Sequence, residues 1–272
     1  MWGEDTGSLE MIRRPAVAGT FYPEDPALLR EMIERMLRGA SVSSEVAPEA
    51  VVAPHAGYMY SGPFAAYAFK SLLPLAGTSP TVLLLGPAHF VAFNGVSTGP
   101  FTEWETPLGT VPVAVDRVEE ILALGHPFTD IADPLIPEHS LEVELPFLQV
   151  VLGDFRLVPL AFGIVNPLLV ARRLMEVLRE GDVVVVSTDL SHYHPDGIAR
   201  RLDRETLQVA LRNDAEALLE REACGRYAWA TLSAMARDLG WRPTLLIYGT
   251  SADTSGDSRS VVGYAALRYD RV

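Results

Sequence analysis

Three stretches of the chain are apolar without interruption: Val51-Val52-Ala53, Val82-Leu83-Leu84-Leu85 and Val183-Val184-Val185-Val186. A strand with one face in water alternates apolar and polar residues; a strand covered on both faces has no reason to. The runs are far too short to cross a bilayer. They are separated by segments of helical periodicity, so they specify central strands of a sheet with helices on both sides. Each run also ends in chemistry. His55 follows the first, His89 closes Gly86-Pro87-Ala88-His89, and Asp189 and His192 lie in Ser187-Thr188-Asp189-Leu190-Ser191-His192. In open α/β sheets ligands bind at the carboxyl ends of the strands. Parallel neighbours would therefore deliver these groups to one edge.

The remaining segments fit that frame. "DPALLREMIERMLRG" reads as a helix with Asp25 as N-cap, Pro26 in the first turn and Gly39 closing it. "SGPFAAYAFKSLL" reads as a helix opened by Ser61, and "SLEVELPFLQVVLG" as another. "NPLLVARRLMEVLREG" is predicted to run from Asn166 to Gly181. "GVSTGPFTEWETPLGTVPVAV" has the Gly/Pro turns of a hairpin excursion. "DRETLQVALRNDAEALLERE" and "RYAWATLSAMARDLG" are helical, and "TLLIYGTS" and "SVVGYAALRYD" supply two late strands. The expected fold is α/β: a single three-layer α/β/α domain over 12–272 with a mixed, largely parallel central sheet. Residues 1–11 read as a flexible leader, with Met11 an alternative start.

Composition narrows the partners. The net charge of −13 argues against nucleic acid or an anionic membrane surface. The N-terminus has no apolar stretch of a secretory signal, and the single cysteine, Cys224, excludes an internal disulfide framework. A cytoplasmic protein is expected.

Cys224 stands just ahead of a predicted helix, where amides and dipole favour a thiolate, the form that binds metal. Facing His55 and His89 it would complete a shell of two nitrogens and one sulfur, suited to iron, copper or zinc rather than magnesium or calcium. "PEHSLEVELPFL" carries His139, Glu142 and Glu144. The bland reading has His139 capping the helix and the glutamates in water; the functional one turns His139 and Glu144 into the pocket. Tyr58 or Tyr60 can line that pocket. His126 reads as a surface residue, and His192 is preferred over His194 for the site. Ser187, Asp189 and His192 are triad residue types, but no G-x-S-x-G elbow exposes the serine.

Together "RRPAVAGTFYP", "PHAGYMYSG", "GPAHF", "EHSLEVELPFL", "STDLSHY" and "ACGR" resemble the Memo family, whose prokaryotic members are called AmmeMemoRadiSam system protein B. The resemblance runs from about Ile12 to the C-terminus. The family is similar in fold to the class III extradiol dioxygenases, whose iron is held by two histidines and a glutamate. It implies that His55 and His89 are the histidine ligands and that Cys224 replaces the glutamate. It also places Asp189 and His192 behind the metal, His192 as an acid/base. The chain departs from the family at Glu144, where His or Gln is common, and at Ala88, where a polar residue is.

The leading expectation is a metal-dependent redox or dioxygenase-like protein using Fe(II), or alternatively copper. The substrate would be a small molecule or peptide, and the resemblance suggests a radical SAM pathway partner. A zinc hydrolase with Glu144 or Asp189 as base, and a non-catalytic peptide- or protein-binding module, are the alternatives.

Overall fold

The computed structural model describes residues 11–42 and 45–272. The leader expected over 1–11 lies outside them except for Met11, whose amide donates to Thr102 Oγ1.

In chain order the first elements are β1 (Ile12–Arg13), α1 (Pro26–Gly39), β2 (Ala50–Ala53), α2 (Tyr58–Lys70) and β3 (Thr81–Pro87). There follow β4 (Val96–Ser97), β5 (Glu103–Thr106), β6 (Gly109–Pro112), α3 (Val115–Ala123) and β7 (Phe128–Thr129). A 3-10 turn at Glu142–Glu144 leads into α4 (Leu145–Leu152), then β8 (Arg156–Phe162), α5 (Pro167–Val177), β9 (Val183–Ser187) and β10 (His192–His194). The chain closes with α6 (Asp196–Ala210), α7 (Ala215–Leu218), α8 (Arg226–Leu239), β11 (Trp241–Thr250), α9 (Ala252–Ser255) and β12 (Val261–Arg271).

Among the described residues nine strands form the main sheet, in the order β10-β12-β2-β9-β3-β8-β4-β7, with β11 paired to β12. Its centre, β2-β9-β3-β8, is parallel, and β12 joins it antiparallel. Helices α1, α2 and α4 pack together, as do α3, α5 and α8, giving the expected three layers of a mixed, largely parallel α/β domain. A small separate sheet, β1-β5-β6, holds the predicted hairpin. The three apolar runs occupy adjacent strands β2, β9 and β3, each residue at most 1% exposed. Burying each Val or Leu contributes roughly 1.5–3 kcal/mol, which is what an uninterrupted run requires in place of alternation.

Several helix bounds differ from expectation, and tertiary contacts are the reason. Helix α2 begins at Tyr58, not Ser61, because the Tyr58 amide donates to Phe21 O at 2.8 Å. The predicted 166–181 helix keeps its Asn166 cap but stops at Val177. There Asp182 accepts from the Arg179 amide while pairing with Arg117, and turns the chain. The "DRETLQVALRNDAEALLERE" segment is two helices, split at Asn213, whose φ is 55°.

Candidate metal centre

The carboxyl ends of β2, β9 and β3 lie side by side and deliver His55, Asp189 and His89 to one edge. A fourth group arrives from the loop ahead of the 3-10 turn: His139. One ring nitrogen from each of His55, His89 and His139 forms a cluster within 4.8 Å. The His89 and His139 rings stack at 4.7 Å, and His55 meets both edge-on.

Two of the imidazoles are held from behind by hydrogen bonds, and the third by packing. His89 Nδ1 lies 2.8 Å from Glu138 Oε1, and the His89 amide donates to the same carboxylate. Glu138 also accepts from the amides of His139 and Ser140. Burial opposes its ionisation, but these hydrogen bonds outweigh burial and hold its pKa below the usual range. An ionised acceptor puts the His89 proton on Nδ1 and leaves Nε2 with the lone pair. His55 is tied by its Nδ1 to Ser187 Oγ at 2.7 Å and by its amide to Asp189 Oδ1 at 2.9 Å. His139 packs against Phe21 at 4.8 Å. Its Nδ1 is buried without a hydrogen bond, although Glu138 Oε1 lies 3.3 Å away, too poorly aligned to count.

Burial lowers the pKa of His55, and the neighbouring imidazoles lower it further. His139 is lowered by burial against the opposing pull of Glu138. Imidazoles crowded together, one nitrogen orphaned, are the donor set of a borderline metal ion such as zinc, copper or iron. The residues fit such an ion.

Cys224 abuts the cluster: its Sγ lies 3.3 Å from His55 Nε2 and accepts from the Asp189 amide at 3.2 Å. Two glycines permit close approaches around the site. A Cβ on Gly225 would sit 2.7 Å from Ser187 O, so only glycine lets the segment lie against the end of β9. A Cβ on Gly263 would meet Asp203 Oδ2 at 2.0 Å, and Asp203 anchors the Ser191 amide next to His192. The thiolate expected of Cys224 is not favoured in the metal-free site. Burial, reinforced by Asp189, pushes the thiol up to about 12 despite the nearby amides.

The cluster opens into a cavity of about 470 Å³ lined by Phe21, His55, His89, His139, Asp189, His192 and Cys224 among others. His192 stands at its wall with a pKa lowered by burial, while His194 turns away to Glu222 at 2.8 Å. Asp189 does not orient His192 as expected. Its carboxylate accepts from the amides of His55 and Ala56, and burial raises its pKa to about 7. Tyr58 is not a pocket residue: it is 1% exposed, with its hydroxyl on Val143 O and its ring against Phe147. Nor do the glutamates face water. Glu142 binds Arg13, the Ala16 and Val17 amides and the Tyr22 hydroxyl, and so fastens the N-terminal segment that carries Phe21. Glu144 lies behind Ser187, wholly buried and outside the cavity. Sequence reasoning passed over Glu138, Ser187 in this role, and Phe21. The adjacency of Glu138 to His139 was the one available signal.

The chain as a whole is similar to known proteins. A family model described as Memo-like protein covers residues 13–268. The chain belongs to the Memo-like family. A MEMO1 family protein of Ignicoccus hospitalis is 38% identical over 95% of this chain and 99% of its own length. One from Methanopyrus kandleri is 38% identical, covering 96% of this chain and all of its own. One from a Thermotoga species is 36% identical over 93% and 98%. Among the described residues no helix is long and apolar enough to cross a membrane.

Proposed function

We propose that this Memo-family protein is a metal-dependent redox protein of oxygenase-like type, using Fe(II) or alternatively copper. The observation that carries the reading is the cluster of His55, His89 and His139 nitrogens within 4.8 Å, two of the rings held at Nδ1 by buried groups. The Cys224 thiol beside His55 is a soft donor that favours iron, copper or zinc over magnesium or calcium. When bound there, such an ion would supply Lewis-acid and redox chemistry.

The chain's own groups then have distinct tasks. His192, neutral at pH 7, takes or gives a proton at the cavity wall. Asp189 fixes the His55 loop, and Phe21 covers one face of His139. A small molecule or peptide segment enters through the cavity. The proposed compartment is the reducing cytoplasm, on the strength of a single unpaired cysteine. A radical SAM pathway partner rests on the family resemblance alone.

A hydrolytic zinc site is the second reading. Three imidazoles are also the ligand set of zinc centres that activate water, and Asp189, raised to about 7, lines the same cavity.

Reconstitution under argon with Fe(II), Cu(I) and Zn(II), followed by elemental analysis and oxygen-uptake measurements, tests these readings. We expect one ion per chain, lost in a His55→Ala/His89→Ala variant, and oxygen uptake by the iron or copper form. Comparing His139→Ala with Cys224→Ser identifies the third ligand. Ester or amide hydrolysis by the zinc form without oxygen uptake would favour the second reading. Equal metal content in wild type and the double variant sinks both, and leaves a binding module.

A further inference from the structure

Ser187 Oγ is the meeting point of three polar atoms: His55 Nδ1, Ser140 O and Glu144 Oε1, each 2.7 Å away. A hydroxyl has one proton to give and two lone pairs to receive. The Ser140 carbonyl can only accept. If Ser187 gave its proton to Glu144 or to His55, its oxygen would face the carbonyl oxygen at 2.7 Å with no proton between them. All three contacts are satisfied together only when Ser187 donates to the carbonyl and the other two partners donate to Ser187. His55 then carries its proton on Nδ1, and Glu144 is a carboxylic acid.

The surroundings of Glu144 agree. Its side chain is wholly buried, and it forms no ion pair with a cation among the described residues. Its Oε2 has no hydrogen-bond partner. An ionised carboxylate in that position would be desolvated without compensation, which is strongly unfavourable. Burial accordingly pushes its pKa well above the carboxylate range, and Asp189 adds to the shift against the Ser187 hydrogen bond.

We propose that Glu144 is a positioning residue that acts as a neutral hydrogen-bond donor, holding His55 through Ser187 in the Nδ1–H tautomer with Nε2 turned to the metal cavity. The proton inventory is a property of the metal-free protein; only its consequence for ion binding rests on the function proposed above.

Two measurements on the metal-free full chain test the inventory. Infrared difference spectra of wild type minus Glu144→Gln should show the carbonyl stretch of a protonated carboxylic acid near neutral pH. Nitrogen-15 NMR should place the His55 proton on Nδ1 in both proteins, because the glutamine amide donates in place of the acid. In metal titrations Glu144→Gln should keep the affinity within about three-fold, whereas Glu144→Ala should lose roughly 10–100-fold, the usual effect of removing a group that orients a ligand. Absence of the protonated-acid band, or a His55 proton on Nε2, overturns the inference. So does a glutamine variant as impaired as the alanine one. If Glu144→Ala does not fold, the infrared and NMR results decide alone. If no ion binds to any version while the band and tautomer are as stated, the metal reading fails and this one stands.

Discussion

Glu142 and Glu144 are the same residue type, two positions apart in one 3-10 turn, and both are wholly buried. Their surroundings treat them oppositely. Glu142 meets the Arg13 guanidinium, two backbone amides and the Tyr22 hydroxyl, so every lone pair is engaged by a donor. Among the described residues Glu144 meets one serine hydroxyl and no cation, and one of its oxygens has no partner. A charge survives burial only where opposite charge and hydrogen bonds replace water. The first glutamate is therefore a structural anion that pins the N-terminal segment over the site. The second is a neutral group behind His55. Glu138, four residues before Glu142, is intermediate: an ion stabilised by amides and by the imidazole it orients.

One substitution made at both positions gives the widest contrast. Glu142→Gln should destabilise the protein by about 3–5 kcal/mol, because Arg13 is left buried without its counter-ion. Glu144→Gln should cost less than about 1 kcal/mol, since an amide replaces an acid of the same shape. Urea unfolding of the two variants checks this, and equal losses would break the comparison. Next in size, Glu138→Gln should weaken metal binding by roughly 10–100-fold in competition titrations while the fold persists. Unchanged affinity would mean that His89 needs no orienting partner.

The site's titration has two opposing contributions. His55 and His139 are lowered by burial, so in the metal-free protein they contribute stability above about pH 6.5 that is lost as the pH falls and protons are forced onto them. Asp189, raised to about 7 by burial, contributes in the reverse sense, fully below the ordinary aspartate value near about 3.9 and less as the pH climbs through its folded value. Asp189→Asn removes that counterweight. Metal-free Asp189→Asn should therefore lose about 1–2 kcal/mol more than wild type between about pH 7 and 5. Parallel stability curves would show that Asp189 is not held protonated. The smallest effect belongs to a solvent-facing carboxylate. Glu105 pairs with Arg14 on the surface, and Glu105→Gln should change stability by no more than about 1 kcal/mol, less still at high salt.

Much of the fold was legible because burial writes itself into local patterns. The runs at 51–53, 82–85 and 183–186 are adjacent central strands, and Asp25 and Asn166 cap the helices expected of them. Helix α3 escaped notice: it is short, has no side-chain N-cap, and buries an arginine, Arg117, that a linear reading assigns to water. The start of α2 was misplaced because the group that satisfies its first amide, Phe21 O, comes from another part of the chain.

The sequence by itself marked three buried central strands ending in His55, His89 and Asp189, since an uninterrupted apolar run and the residue that follows it are local properties. It also determined the family, through motifs distributed along nearly the whole chain. Only the tertiary structure decided that His139 shares the cluster, that Tyr58 belongs to the core, and that Asp189 serves the His55 loop rather than His192. It likewise decided which buried glutamate is charged. The reason is physical: proton position and charge depend on groups within a few ångströms in space, and those groups lie up to 169 positions away in the chain.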